Sequence, residues 1–352
     1  MNAIELKSIT KRYPGFELGP IDLQVGQGEF FGIFGPPSSG KTSILKLILG
    51  LLEPDAGDVL LGGANGAALD VSERGISMVF QNLALFPHMT GRENIIFPLV
   101  ERGVSEDEIT RRLDFVSEVL HVSHILHKNP AQMSGGERQR IALGRAFASE
   151  SRAMLLDEPI AALDARLREE MRVELKRLQR EKSQTFVYVS HDEEEVMAIS
   201  DRIAIMIGGK VLQVGTPDEV YSSPNSIQVA EVIGTPPMNF FAGQLTGGGM
   251  IFASTFLPSP MSLSPGYGSD GVVTLGIRPE DLWMVTDGPG HMQLKVSSTE
   301  PLGGSTIVNG FAGDKMVKVR APGQVQLLAG QEISLAFDLR RLHFFDEAGA
   351  RL

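Results

Sequence analysis

Phe30-Phe31-Gly32-Ile33-Phe34-Gly35-Pro36-Pro37-Ser38-Ser39-Gly40-Lys41-Thr42-Ser43 joins a short apolar run to a glycine-bounded loop, and the loop runs into the helical pattern of Ser43 to Leu49. Residues 35–42 fit the spacing G-x-x-x-x-G-K-[ST] in the strand–loop–helix context that the spacing requires. The backbone N–H groups of such a loop point inward at a helix N-terminus and make a nest for anions. Gly35, Pro36, Pro37, Ser38, Ser39, Gly40, Lys41, Thr42 and Ser43 are therefore the candidate nucleotide-binding residues. Lys41 is placed to reach the terminal phosphates and the Thr42 hydroxyl to ligate Mg²⁺.

A second apolar run, Met154-Leu155-Leu156, ends in Asp157-Glu158-Pro159. Taken alone, two acids at a strand end are equally a solvated turn. Beside a phosphate loop they suit phosphoryl chemistry, with Asp157 holding Mg²⁺ and Glu158 polarising an attacking water. Further short apolar runs at Thr185 to Val189 and Ile203 to Ile207 alternate with helical stretches such as Glu106 to Leu120 and Ala165 to Glu181. That alternation predicts an α/β domain around a largely parallel sheet whose strand ends deliver loops to one ligand edge.

Near residue 235 the texture changes to Gly, Pro and Ser with short strand-like segments at Leu275 to Val285, Met292 to Val296, Thr306 to Asn309, Lys315 to Val319 and Glu332 to Phe337. The pattern predicts a small all-β barrel or sandwich. The expected division is an α/β nucleotide-binding domain over 1–235 and a β-rich accessory domain over 236–352. The linker is read at Ile233 to Phe241, marked by Pro236 and Pro237.

Composition narrows the class. The 352 residues are 42% hydrophobic and 21% charged, which fits two folded domains and not a disordered chain. The chain has no cysteine, which removes disulfides and thiolate zinc sites and fits a reducing compartment. Met1 to Phe16 alternates charged and apolar residues and lacks the core of a signal peptide. Ile44 to Leu52 is interrupted by Lys46 and Gly50 and falls short of the ~20 apolar residues that span a bilayer. A net charge of −11 opposes binding to nucleic acid. Apart from His191, the histidines, among them His121, His124 and His127, lack a ligand set and read as surface or packing residues.

Met133-Ser134-Gly135-Gly136-Glu137-Arg138-Gln139-Arg140 precedes the acidic pair and opens a polar helix. With the phosphate loop before it, and with Gln81, Ala162-Leu163-Asp164 and His191 in order, this segment resembles the signature of ATP-binding-cassette ATPases. The resemblance covers the whole chain. It implies that Ser134, Gly135, Gly136 and Glu137 bind the γ-phosphate of ATP held by an opposing subunit, and that Asp164 crosses the dimer interface. It further implies that His191 contacts the γ-phosphate, that Gln81 touches Mg²⁺ or the water, and that Tyr13 stacks on adenine.

The tail, through Gly276-Ile277-Arg278-Pro279-Glu280-Asp281 and Glu300-Pro301-Leu302-Gly303-Gly304, resembles the oligonucleotide-binding-like accessory domain of bacterial importer ATPases. Gly234-Thr235-Pro236-Pro237-Met238-Asn239-Phe240-Phe241 is similar to the carbohydrate-uptake branch. The implied activity is Mg²⁺-dependent ATP hydrolysis driving import of a sugar, sugar alcohol or glycerol-type solute. Iron, polyamine and sulfate importers share the plan.

The implied partners are a second ATPase subunit, identical or closely similar, then transmembrane permease subunits and, indirectly, an external solute-binding protein. The implied place is the cytoplasmic face of the membrane. ATPases of DNA maintenance insert long coiled coils between these motifs, and translation-type relatives carry two motif sets; this chain has neither. Two positions depart from the family pattern, Ser38 where glycine is usual and Glu137 where glutamine is usual.

Overall fold

The structure, a computed structural model, describes residues 2–149, 151–263, 270–285, 288 and 290–352. The chain divides into two compact units, Met1–Pro217 and Asp218–Leu352.

The first unit opens with two antiparallel strands, β1 (Asn2–Tyr13) and β2 (Phe16–Gly26), followed by β3 (Phe30–Phe34) and helix α1 (Lys41–Leu49). Next come β4 (Ala56–Leu61), β5 (Ala64–Asn65) and β6 (Ile76–Val79), then helices α2 (Gly91–Glu101), α3 (Glu106–Val119) and α4 (Gly135–Ala148). The unit finishes with β7 (Ala153–Asp157), α5 (Ala165–Lys182), β8 (Thr185–Ser190), α6 (Glu193–Ile199), β9 (Arg202–Ile207) and β10 (Lys210–Gly215). A six-stranded sheet runs β10-β9-β3-β8-β7-β6, parallel except for β10. The strand that feeds the phosphate loop lies inside it, Phe31 paired with Val187 on one side and Arg202 on the other.

Helix α1 has apolar residues on nearly every face. Ile44, Leu45, Leu47 and Ile48 are buried in one core with Ile4, Leu6 and Ile21 of the antiparallel sheet and Leu155, Val187 and Val189 of the parallel one. Each such side chain contributes roughly 1.5–3 kcal/mol by leaving water. The phosphate loop is thereby anchored at both ends, by a central strand and by a helix held between two sheets. Strands β1, β2, β4 and β5 form a separate antiparallel sheet of order β2-β1-β4-β5, which is not among the strands expected from the sequence. No described helix is long and apolar enough to cross a membrane.

In the second unit, α7 (Pro217–Ser222, which starts at the division) and α8 (Ile227–Val232) precede β11 (Asn239–Thr246), β12 (Ile251–Ala253), β13 (Met261–Ser262) and β14 (Gly271–Ile277). Then follow β15 (Leu282–Val285), β16 (Met292–Pro301), β17 (Ser305–Ala312), β18 (Lys315–Pro322), β19 (Glu332–Phe337) and β20 (His343–Phe345). Two five-stranded sheets, β13-β12-β11-β14-β20 and β15-β19-β16-β17-β18, share one apolar core.

Three details differ from the sequence reading. The expected strand 275–285 is broken by a 3-10 turn at Pro279–Asp281, where proline cannot donate to a ladder. Strand β11 begins at Asn239, inside the expected linker. Residues 218–235 cluster with the β-rich unit because Ala230 packs with Met238 and Phe345, and the guanidinium of Arg278 donates to the carbonyls of Ile233 (2.7 Å) and Tyr221 (2.6 Å).

Candidate active site

Gly35 follows β3, and a Cβ at this position would lie 2.0 Å from the Met206 carbonyl oxygen, so only glycine fits. Ser38 (φ 63°) and Gly40 (φ 100°) both take left-handed backbone and turn the loop onto α1, which begins at Lys41. The Lys41 ammonium is buried and donates to the carbonyls of Gly35 (2.7 Å) and Pro36 (2.8 Å). Burial lowers its pKa, and the charges of Glu158 and Asp157 oppose that shift. A cleft of about 370 Å³ lies over the loop, lined by Tyr13, Phe16, residues 37–43, Gln81 and Glu158.

The acidic pair splits into two environments. Asp157 ends β7, is buried, and accepts a hydrogen bond from Thr42 Oγ1 at 3.2 Å. Its pKa is raised, first by desolvation and further by the charge of Glu158, while the Thr42 hydroxyl pulls the other way. Glu158 leaves the strand in left-handed backbone (φ 49°), its N–H donating to the Val189 carbonyl at 2.9 Å. That turn swings the carboxylate out to the cleft. There its Oε1 lies 2.8 Å from His191 Nδ1, and its Oε2 accepts from Gln81 Nε2 at 3.3 Å. The residues expected around a terminal phosphate, Lys41, Thr42, Gln81, Asp157, Glu158 and His191, are thus brought together from four strand ends of one sheet.

Tyr13, at the end of the β1–β2 hairpin, donates its hydroxyl to Ser43 Oγ (3.2 Å), with the Phe16 ring 6.1 Å away. Phe16 was not singled out in the sequence. Its pairing with Tyr13 across the turn is the signal that could have found it.

Ser134, Gly135, Gly136, Glu137 and Asp164 do not line this cleft. Ser134 caps α4 in a reciprocal box: its Oγ accepts from Glu137 N (3.2 Å) and its N–H donates to Glu137 Oε2 (2.6 Å). Asp164 is exposed and caps α5 through Leu167 N at 3.0 Å. His121, His124 and His127 are exposed, as expected for surface residues.

Two further side chains were missed. Gln139 bridges α4 to the turn after Glu158, and Arg145 bridges α4 to the turn after Gln81. Both bind backbone carbonyls or amides, which carry no residue signature.

Residues 18–161 match the ABC transporter family, 234–282 the MalK OB fold domain and 275–345 the TOBE domain. The chain is 39% identical over 359 aligned positions, spanning the whole of both proteins, to the sn-glycerol-3-phosphate import ATP-binding protein UgpC of Rhizobium meliloti (strain 1021). It is 37% identical over its whole length to the sulfoquinovosyl glycerol transport ATP-binding protein SmoE of Agrobacterium fabrum, covering 99% of that protein. Among solved structures it is similar to a dimeric bacterial ABC transporter cassette, with 31% identity and a TM-score of 0.57 over 61% of this chain and 98% of the other. A post-hydrolysis state of that cassette bound to ADP and Pi matches at 30% identity and a TM-score of 0.57, again covering 61% of this chain and 98% of that one.

Proposed function

We propose that this chain, which belongs to the ATP-binding-cassette transporter family as an importer ATPase, hydrolyses ATP at the cleft over Lys41 with Glu158 as the general base. One observation carries the reading: the Glu158 carboxylate is fixed between His191 Nδ1 (2.8 Å) and Gln81 Nε2 (3.3 Å) at the lip of the phosphate loop. A carboxylate oriented on both oxygens can accept a proton from a water along one defined direction. Residues 35–43 hold the phosphates, Lys41 neutralises them, and Tyr13 with Phe16 offers an aromatic wall to the base.

Thr42, Asp157 and Gln81 suit Mg²⁺. Their oxygens are hard donors, the buried Asp157 has no cation in direct contact among the described residues, and Mg²⁺ on phosphates takes only one or two protein carboxylates. When bound there, the ion would supply neutralisation of the phosphate charge.

By the same family resemblance, Ser134 to Glu137 and Asp164 serve the ATP of a second subunit, a reading compatible with their lying outside the cleft of their own chain. The transported solute is of the glycerol type, by likeness to the two transport ATP-binding proteins just described. The chain acts at the cytoplasmic face of the membrane through permease subunits fed by an external binding protein, with the α/β unit as the motor and the β-rich unit as an accessory domain.

The test is Glu158→Gln in the full chain. Shape and ATP binding are kept, the base is lost, and steady-state turnover falls by about 10²–10⁴-fold. Near-normal hydrolysis would sink the assignment.

A further inference from the structure

Seven described non-glycine residues have φ between 46° and 63°, a region that L-residues avoid and hold only where their surroundings over-determine it. Four of them are gripped by side chains of one helix, α4. Gln139 Nε2 donates to the Glu158 carbonyl at 3.0 Å, and Gln139 Oε1 accepts from Ala162 N at 2.9 Å. Arg145 donates through Nη2 to the carbonyl of Leu83 (2.9 Å) and through Nη1 to that of Ala84 (2.7 Å), with its guanidinium 5.7 Å from the Phe86 ring. Arg140 Nη1 donates to the carbonyls of Leu120 (3.3 Å) and His121 (3.2 Å).

The first two grips fall on the reacting groups. Glu158 is itself one strained residue, and Leu83 and Ala84 follow Gln81 after the single residue Asn82. Gln81 and Glu158 then touch each other across the cleft. Helix α4 therefore braces both partners of that contact from behind, and the same helix opens at Ser134.

We propose that Gln139 and Arg145 are positioning residues that lock the two turns aiming Glu158 and Gln81, so that α4 sets the geometry of the hydrolytic pair in its own chain. Neither side chain lines the cleft or reaches the phosphate loop. Their loss should leave nucleotide binding intact and misplace the base. The same helix also carries the signature, so its N-terminus, when it meets the nucleotide of a second subunit, is rigidly joined to the base of the first. The proposal rests on Glu158 being the base.

The experiment uses the full chain with Mg²⁺ and ATP. Gln139→Met and Arg145→Met keep length and remove the hydrogen bonds. A base displaced by about 1 Å costs up to roughly 10²-fold, so kcat should fall ten- to hundredfold while the affinity for a fluorescent ATP analogue stays within threefold. Arg145→Lys keeps a charged donor and should recover part of the rate. Arg140→Met is the control, because it releases His121, an equally strained residue gripped by the same helix but outside the cleft: its unfolding midpoint should drop and its kcat should not. Where Gln139→Met does not fold, Gln139→Glu keeps the acceptor for Ala162 N, replaces the donor to Glu158 by a charged oxygen and should show the same selective kcat loss.

The proposal is overturned if the folded position-139 and position-145 variants hydrolyse within twofold of the parent chain. It is equally overturned if Arg140→Met loses as much kcat as they do, since a loosened helix would then explain everything. Glu158→Gln run alongside separates the two levels. If that variant hydrolyses normally, the base assignment itself fails; if it is inactive while Gln139→Met is normal, only the positioning role fails.

Discussion

Ser38 occupies left-handed backbone (φ 63°) in the middle of the phosphate loop, where the family pattern carries glycine. A side chain in that region costs roughly 1–2 kcal/mol through the clash of Cβ with the following carbonyl. Replacing it by glycine removes the clash and adds about 0.5–1 kcal/mol of unfolded-state entropy, so Ser38→Gly should be net stabilising by ~0.5–1 kcal/mol. The hydroxyl subtracts little from that figure, because Ser38 is exposed. For a unit of this size the gain corresponds to a rise of about 1–4 °C in the unfolding midpoint. Ser38→Ala keeps Cβ and should give no such rise. Thermal and urea unfolding of the three full-length chains measure the difference. If Ser38→Gly is no more stable than Ser38→Ala, the strain attributed to this position is not there.

The other predictions concern binding and pH. Tyr13→Ala should weaken ATP binding about two- to twelvefold, from ~0.5–1.5 kcal/mol of ring stacking, whereas Tyr13→Trp should be tolerated; equal affinities in a nucleotide titration would make Tyr13 a packing residue only. His343 on β20 is buried, and desolvation, then the charges of Arg351 and Arg278, lower its pKa to about 4 from 6.5. The folded chain therefore refuses a proton that the unfolded chain accepts, so this stability is complete above pH ~6.5 and is lost as pH falls toward ~4, by up to about 3 kcal/mol. Urea midpoints across that window should fall with pH in the parent chain and fall less in His343→Gln; parallel slopes would remove His343 as the cause.

The parts of this protein that sequence revealed are those where chemistry fixes residue type at short spacing. A phosphate nest needs its glycines and lysine within eight positions, and an acid after an apolar run needs only a strand to present it. Strands β1 and β2 were harder to read because the alternation that marks a half-buried strand is interrupted. Ile4, Leu6 and Ile9 are all buried, but the register shifts between Leu6 and Ile9, where Ser8 takes φ 48°. A bulge of this kind changes which residues face the core and breaks the period of two. The placement of residues 218–235 was invisible for another reason: Arg278 reaches the Ile233 carbonyl from 45 positions away, and nothing local in either segment announces it. Gln139 and Arg145 escaped notice because they bind main-chain atoms, so no partner residue exists to be recognised by type.

Glu137 illustrates the same limit inside a motif that was read. A carboxylate at the head of a helix proposed to receive a phosphate looks like an error, since like charges repel across a low-dielectric gap. In the fold, that carboxylate accepts the Ser134 N–H at 2.6 Å and the Lys128 ammonium at 2.9 Å. The Ser134 amide first, and Lys128 next, hold its pKa at about 2, so it is ionised at every physiological pH. Its charge is matched by a cation nine positions upstream, in the loop preceding α4. The head of α4 therefore presents a closed ion pair, with the positive end of the helix dipole and the amides of Gly135 and Gly136 still in place. A glutamine at 137 would keep the cap and leave Lys128 without this partner. If α4 meets the phosphate of a second subunit as proposed, it presents Lys128 together with Glu137, an ion pair with no net charge.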